Sequence, residues 1–406
     1  MASHKQDALM AAHEAALKSE QDAGSKAYSK SNPLKLGIMS TANIAKKVIA
    51  GVHSIDNVEA YAVASRSLEK AEAFAKETGV TKAYASYEEL LDDKDIEAVY
   101  VPLPTSLHAE WVEKIAKAGK HILCEKPCAI TGEELYTMLA ACKENNVHFM
   151  DNVMFMHHDR LRMLLDRTHK DQFFGPNGIT HVSSTFSFRS DEDFYKSNIR
   201  MNKDLDSLGA LGDLGWYNLR IALFAFGWRM PATAQGTVMN THEGVPIELS
   251  ATLTWEPEEG EEDIGGVKLS RSTTFYCSFL QARQQSVFLS GAKGMATMDD
   301  FVNTRSPKAA TWEEESEAGT TMTEEGPETV SKKETKSTGP CRQEALAVEN
   351  FARQILACKD GKPITFWPRV ALLTQVCIDS VLESIEKDGA VVKVDSQGLV
   401  ERFDSN

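Results

Sequence analysis

No apolar run in this 406-residue chain reaches the ~20 residues that a helix needs to cross a bilayer. The longest candidate, Leu211 to Phe226, is broken by Asp213, Asn218 and Arg220, so a soluble, cytoplasmic protein without a membrane partner is expected. Cysteine is scarce. The seven present, Cys124, Cys128, Cys142, Cys277, Cys341, Cys358 and Cys377, are odd in number and lack repeated C-x-x-C spacing, which argues against a disulfide scaffold or a clustered zinc site. Positive charge is in deficit as well, 44 Lys plus Arg against 59 acidic residues, and a net charge of −15 argues against a nonspecific grip on nucleic acid. Neither a G-x-x-x-x-G-K-[ST] loop nor a G-x-S-x-G elbow occurs, so ATP and ester hydrolysis fall behind other chemistries.

Residues 1–33 contain no arginine and no basic start followed by an apolar block. A secretory leader is therefore not expected there, and the segment reads as a polar extension, with a plastid transit segment left open.

What is present divides the chain in two. Leu34 to Met39 reads as a buried strand and Asn43 to Val52 as a helix with Ile44, Val48 and Val52 on its apolar face. Val58 to Ala64 is a second strand, and Ser67 caps a helix with Leu68, Ala71, Phe74 and Ala75 as its stripe, stopped at Gly79. Ile96 to Val101, a helix over 105–118, His121 to Cys124, a helix opened by Thr131 and Glu134, and Val147 to Met150 continue the alternation. This rhythm predicts a parallel, helix-covered dinucleotide-binding domain over 34–153.

From residue 154 to 406 the rhythm changes. Ile179 to Phe188, Ala232 to Met239, Ile247 to Trp255, Ser272 to Phe279 and Ser286 to Leu289 alternate as strands of a largely antiparallel, open sheet. Helices are expected at 211–226, 344–358 and 371–385. The fold class is thus α/β, an N-terminal Rossmann domain followed by a C-terminal α+β domain. Two acidic inserts, near 256–264 and 303–338, read as solvated loops because dense like charge resists packing.

At the first strand-to-helix turn runs GIMSTANIA, Gly37 to Ala45. Ser40, Ala42 and Ala45 take the three positions of G-x-G-x-x-G/A, so only the last matches. Ser40, Thr41, Ala42, Asn43 and Ile44 are the candidate pyrophosphate contacts, since small residues and a helix N-terminus suit an anion. The second strand ends in Ser65 and Arg66, where a ribose arrives; an arginine there favours the 2′-phosphate of NADP over NAD. The competing reading of Arg66 is a surface arginine beside a helix start. VPLPTSLH, Val101 to His108, offers Pro102, Leu103, Thr105 and His108 to the nicotinamide, with helix capping or support as the competing, favoured reading of His108.

That loop, together with CEKP at Cys124 to Pro127 and GALGDLGWY at Gly209 to Tyr217, resembles the Gfo/Idh/MocA oxidoreductase family, nearest its dihydrodiol dehydrogenase, NADP-dependent D-xylose dehydrogenase and plant and algal branch. The resemblance implies that Glu125 and Lys126 lie beside nicotinamide and substrate, and that Asp213 and Tyr217 sit on the substrate-facing helix, with Tyr217 as acid/base. Met156, within DNVMFMHHD, departs from the arginine common in the family.

Reducing a carbonyl requires a proton donor and a stabiliser of negative oxygen. Tyr217 can give the proton and Lys126 can stabilise the charge, while Asp213, four residues before Tyr217 and on the same helical face, can orient either partner. Asp213 also fits a carboxylate at a helix start, and Tyr217 a packed ring. Arg200, Arg220 and Trp216 are further substrate candidates against surface, ion-pair and core alternatives. No metal is expected. The expected activity is NADP-linked hydride transfer at a sugar, polyol or cyclic diol, in a homodimer or larger homo-oligomer. The alternatives are a noncatalytic nucleotide-binding partner protein and a nicotinamide-retaining glycoside-cleaving enzyme.

Overall fold

The computed structural model describes residues 28–257, 268–306, 308–323, 326–340, 342–358, 365–395 and 397–405. Its first sheet contains β1 (Leu34–Met39), β2 (Val58–Ala64), β3 (Lys82–Tyr84), β4 (Ala98–Val101), β5 (His121–Cys124) and β6 (Phe149–Asp151), all parallel, in the order β3-β2-β1-β4-β5-β6. Connections run one way from β1 to β3 and the other way from β4 to β6, which opens a crevice beyond the C-terminal ends of β1 and β4.

The helices on this sheet follow from local signals. In α1 (Asn43–Val52), Ala45, Val48, Ile49 and Val52 are buried at helical spacing. Ser67 caps α2 (Leu68–Thr78), which Gly79 ends at φ 75°. Two expected core residues lie outside: Ile44 is 42% and Leu68 44% exposed, because each sits in a first turn that overhangs the sheet. The short β3 and α3 (Tyr87–Asp92) were not anticipated, being too brief for a periodic signal. α4 (His108–Lys117) starts after a 3-10 turn at Thr105–Leu107. Thr131 and Glu134 form a capping box for α5 (Gly132–Glu144), the Thr131 hydroxyl accepting from Glu134 N–H and the Glu134 carboxylate from Ile130 N–H at 2.9 Å.

After α6 (Asp159–His169) comes β7 (Ile179–Ser187), then a long excursion through α7 (Glu192–Ser197), a π-helical turn at Leu211–Gly215 and α8 (Trp216–Ala225). β8 (Thr233–His242), β9 (Val245–Trp255), β10 (Arg271–Ser278), β11 (Gln284–Gly291), β12 (Gly294–Met298), β13 (Thr311–Thr323) and β14 (Gly326–Ser337) follow. α9 (Gln343–Cys358), α10 (Phe366–Glu386), β15 (Val392–Lys393) and α11 (Leu399–Ser405) complete the chain. The second sheet is nine-stranded, in the order β14-β13-β12-β11-β7-β10-β9-β8-β15, antiparallel except between β7 and β10. Alternation is clean on β9 and β10: Leu249, Ala251, Leu253, Phe275 and Cys277 are buried against the helices, while Ser250, Thr252, Thr254, Ser272, Thr274 and Tyr276 are half-buried on the opposite face.

The second acidic insert is not a loop. Thr311–Thr323 and Gly326–Ser337 pair as the antiparallel strands β13 and β14, extending the sheet edge. Acidic and basic residues pair across and along the strands: Glu315 meets Lys333 across the hairpin at 3.1 Å, and Lys332 and Lys336 flank Glu334 on β14. Glu314 is buried beneath Arg167, 2.7 Å away, and accepts the Trp312 indole N–H. The first insert lies largely outside the described residues. α9 packs on α1, where Gly51 leaves room for the Ala345 backbone, and α10 packs on β6, α5 and α8, so C-terminal helices brace the first sheet. Among the described residues no helix is long and apolar enough to cross a membrane.

Candidate active site

Three glycines shape the approach to the crevice. Gly209 adopts φ 53° where any Cβ would strike the Pro246 carbonyl, and Gly212 lets Pro127 come within 3.2 Å of the place a Cβ would occupy. Gly215 closes the π turn against Leu211. The Lys126 loop therefore meets the Asp213 turn directly. Lys126 Nζ donates at 2.7 Å to both the Asp213 carbonyl and Oδ1, Arg200 Nε lies 2.9 Å from the same Oδ1, and Lys126 Nζ stands 4.8 Å from the centroid of the Tyr217 ring. The structure thus gathers Lys126, Arg200, Asp213 and Tyr217 from three separate stretches of chain. π turns widen a helix and re-aim its backbone, which here presents the Asp213 carbonyl to Lys126.

Electrostatics follow from that gathering. Burial opposes the Asp213 carboxylate, but Arg200 and Lys126 outweigh it and hold Asp213 down at about 2. Asp213 in turn raises Arg200. Burial, reinforced by Glu125 and Asp213, lifts the Tyr217 phenol well above its ordinary value, so it keeps its proton at neutral pH. Among the described residues its hydroxyl meets only a weak acceptor, Met154 Sδ at 3.9 Å. Phe155 and Phe186 flank the ring at 5.9 and 5.6 Å between centroids, and Phe301 packs against both. Glu125 accepts from Tyr100 Oη at 2.6 Å and Asn152 Nδ2 at 2.7 Å.

Three residues with two readings each lie in structural surroundings. Trp216 is fully buried, with the Arg220 guanidinium 5.9 Å from its ring, as the core reading has it. Arg220 is fully buried on Asp151, 2.5 Å away, and donates to Thr374. His108 has no nitrogen left for cofactor or substrate: Nδ1 faces the Cys128 carbonyl at 3.0 Å and Nε2 the Leu103 carbonyl at 2.9 Å. Sequence reasoning missed Asp206, which is 3% exposed and, through burial and the nearby Asp213, raised to about 6. It also missed Met154 and the three phenylalanines, which carry no local signal because they converge from distant segments.

At the other end of the crevice, Ser40 has φ 124° where glycine is usual. Its hydroxyl donates to the Pro102 carbonyl at 3.1 Å and accepts from Ala42 N–H at 3.2 Å, tying the turn to the VPLPT loop. No side chain caps α1 and no acidic residue lies in its first turn, so its leading N–H groups are open to an anion. Thr41 and Ala42 are half-buried, Asn43 and Ile44 exposed, and Ser65 buried with its Oγ accepting from Ser67 N–H. Arg66 is exposed and makes no ion pair among the described residues. Pro102, Leu103 and the buried Thr105 line the turn after β4. These features fit a phosphorylated dinucleotide.

Two family models match the chain: the oxidoreductase family with NAD-binding Rossmann fold over residues 34–153, and the GFO/IDH/MocA C-terminal domain over 178–297. A trans-1,2-dihydrobenzene-1,2-diol dehydrogenase of Mus musculus is 31% identical over 271 residues, 65% of this chain and 74% of the mouse protein. The chain belongs to the Gfo/Idh/MocA family. Another member, D-xylose 1-dehydrogenase (NADP(+)) 2 of Haloferax volcanii, is 35% identical over 225 residues, 55% of this chain and 66% of that one. The chain spans just under two thirds, or less, of the length of the first curated relatives it matches. Among solved structures, a 3-ketoreductase from Actinomadura kijaniata in complex with NADP and TDP-benzene superposes with a TM-score of 0.71 at 24% identity, covering 87% of this chain and 98% of the reductase, a likeness of fold.

Proposed function

We propose that this chain is an NADP-linked oxidoreductase acting on a carbon of a sugar, polyol or cyclic diol, with Tyr217 as acid/base and Lys126 as electrostatic support. One observation carries the reading: the Tyr217 ring, whose buried, protonated hydroxyl is bonded among the described residues only to a thioether, lies beside a Lys126 ammonium fixed by Asp213. A buried phenol ordinarily takes a strong partner, so this one is free to exchange its proton with substrate. Arg200 and Asp213 keep the ammonium from drifting and can meet neighbouring hydroxyls. Ser40 to Ile44, Ser65, Arg66, Pro102, Leu103, Thr105 and Glu125 are the proposed cofactor-lining residues. When bound, NADP supplies the hydride chemistry. The activities of the mouse and Haloferax relatives agree in substrate class.

The test is Tyr217→Phe, which keeps the ring and removes the proton. Folding and NADPH affinity should hold while turnover on an active substrate from a panel of aldoses, polyols and trans-diols falls by roughly 10²-fold or more. Near-original turnover would overturn the assignment. Release of a glycosidic leaving group without net NADPH consumption would instead point to a nicotinamide-retaining cleavage enzyme.

We further propose a homodimer through the outer face of the second sheet, where the half-buried Ser, Thr and Tyr rows of β9 and β10 and the exposed Met239 and Met295 await a cover. A native mass showing only monomer at micromolar concentration would reject it.

A further inference from the structure

His108 lies outside the set that faces substrate, yet its surroundings demand a charge. Its two ring nitrogens stand 3.0 Å and 2.9 Å from the carbonyl oxygens of Cys128 and Leu103. A carbonyl only accepts, so both nitrogens have to donate, and a ring donating from both is an imidazolium. A neutral ring would aim a lone pair at one of the two oxygens. Because His108 is 1% exposed, the imidazolium needs a counter-charge within reach. Cys124 Sγ, fully buried, is 3.6 Å from Nδ1 and 3.5 Å from the Glu125 carbonyl, to which the sulfur would donate in a neutral pair and to which it gives no hydrogen bond once its proton is on the ring.

We propose that His108 and Cys124 form a buried imidazolium–thiolate pair that ties the Leu103 loop to the Glu125–Cys128 loop and so positions Lys126. The other titratable groups around the pair are accounted for. Glu125 is engaged by Tyr100 and Asn152, Asp151 by Arg220, and the Cys128 and Cys142 thiols are raised by burial and stay neutral. Burial opposes both charges, but Cys124 and the two carbonyls raise His108 above an ordinary imidazole, while Cys128 and His108 draw Cys124 below an ordinary thiol. Among the described residues no three His, Cys, Asp or Glu side chains are arranged to hold a metal ion. Cys124 and Cys128 bracket Lys126, and Leu103 lies in the turn where β4 meets the crevice. Loss of either charge releases one carbonyl and uncouples the two loops. His108 is a positioning residue in this scheme, acting through Lys126, and the role rests on the reading of Lys126 given above.

The experiment uses the full chain at pH 7.5. ¹⁵N NMR should show both His108 nitrogens protonated, and thiolate absorbance at 240 nm should be present in the wild type, fall away on acidification with a midpoint below that of an ordinary thiol, and be missing in Cys124→Ser and in His108→Asn. His108→Asn should lower kcat by roughly tenfold to a hundredfold, with NADPH Kd nearly unchanged. A single protonated nitrogen, or a thiolate band that survives His108→Asn, overturns the pair. Wild-type kcat in a folded His108→Asn overturns the positioning role. The NMR and the pH titration need only the wild type, so a variant that fails to fold does not shield the proposal. A wild-type chain that shows the pair but turns over no substrate refutes the reading of Lys126, and the positioning role with it. A missing pair in a chain with turnover refutes this proposal alone.

Discussion

The Lys126 ammonium stands 4.8 Å from the centroid of the Tyr217 ring while it donates to Asp213 at 2.7 Å, so one cation serves both the carboxylate that fixes it and the phenol it supports. Lys126→Met keeps most of the side-chain volume and leaves Asp213 paired with Arg200. The fold should therefore survive. Single-turnover NADPH oxidation should slow by roughly 10²-fold, because the developing negative oxygen loses its nearest positive charge. A rate within a few-fold of wild type would show that Lys126 is a structural tether only.

Asp206 gives a pH dependence of opposite sign to that of Asp213. Its folded value, about 6 after burial and the nearby Asp213, lies above an ordinary carboxylate, so the folded state binds its proton more tightly than the unfolded chain does. The stability this contributes is complete below about pH 4 and is lost as pH rises through 6. Asp213, held at about 2, contributes stability above pH 4 that is lost only toward pH 2. Asp206→Asn keeps an oxygen for the Leu208 N–H and removes the buried charge. It should stabilise the protein at pH 7.5 by up to about 3 kcal/mol and flatten the change between pH 4 and 6. Urea melts across that range would expose the error if wild type and variant ran parallel.

How much was legible in the sequence depended on the range of the cause. β1, α1, β2 and β5 follow the chain's own periodicity, and the structure gives them the expected bounds. The Lys126, Asp213 and Tyr217 convergence was legible through their motifs. The β13–β14 hairpin was missed because acidity was weighed within one segment, although the basic SKKETKS run at 331–337 lay within a hairpin's reach of the glutamates. Trp216 and Arg220 keep two readings in the sequence for another reason: the helix that carries them is buried on all sides, so no polar face marks which way they point. Asp206 sits among charged residues in KDLDS, and only its burial separates it from its neighbours.

Arg66 should set cofactor preference. It stands exposed after β2, free of ion pairs among the described residues, with the Tyr87 phenol near enough to feel its charge. Arg66→Ser removes a partner for a 2′-phosphate and leaves the Ser65 and Ser67 hydroxyls for a plain ribose. Kd for NADPH should rise by about tenfold or more, one charge-assisted contact being worth roughly 1.5–3 kcal/mol, while Kd for NADH stays within twofold. Equal weakening of both would mean that Arg66 supports the loop and does not read the phosphate.

The Arg220–Asp151 pair makes the sharpest stability prediction. Both side chains are fully buried, and the pair joins α8 of the second domain to the last strand of the first, with Thr374 of α10 accepting from Arg220 Nε at 2.9 Å. Removing one partner strands the other charge without water, which costs about 3–5 kcal/mol. Asp151→Asn leaves the guanidinium uncompensated, and Arg220→Met leaves the carboxylate so. The double variant removes both charges and leaves only a neutral amide in place of the carboxylate, so it should lie closer to wild type than either single change. Chemical denaturation of the four proteins tests this as a cycle. If the double variant were as unstable as the sum of the singles, the two residues would be contributing through separate packing, and their ion pair would not be what joins the domains.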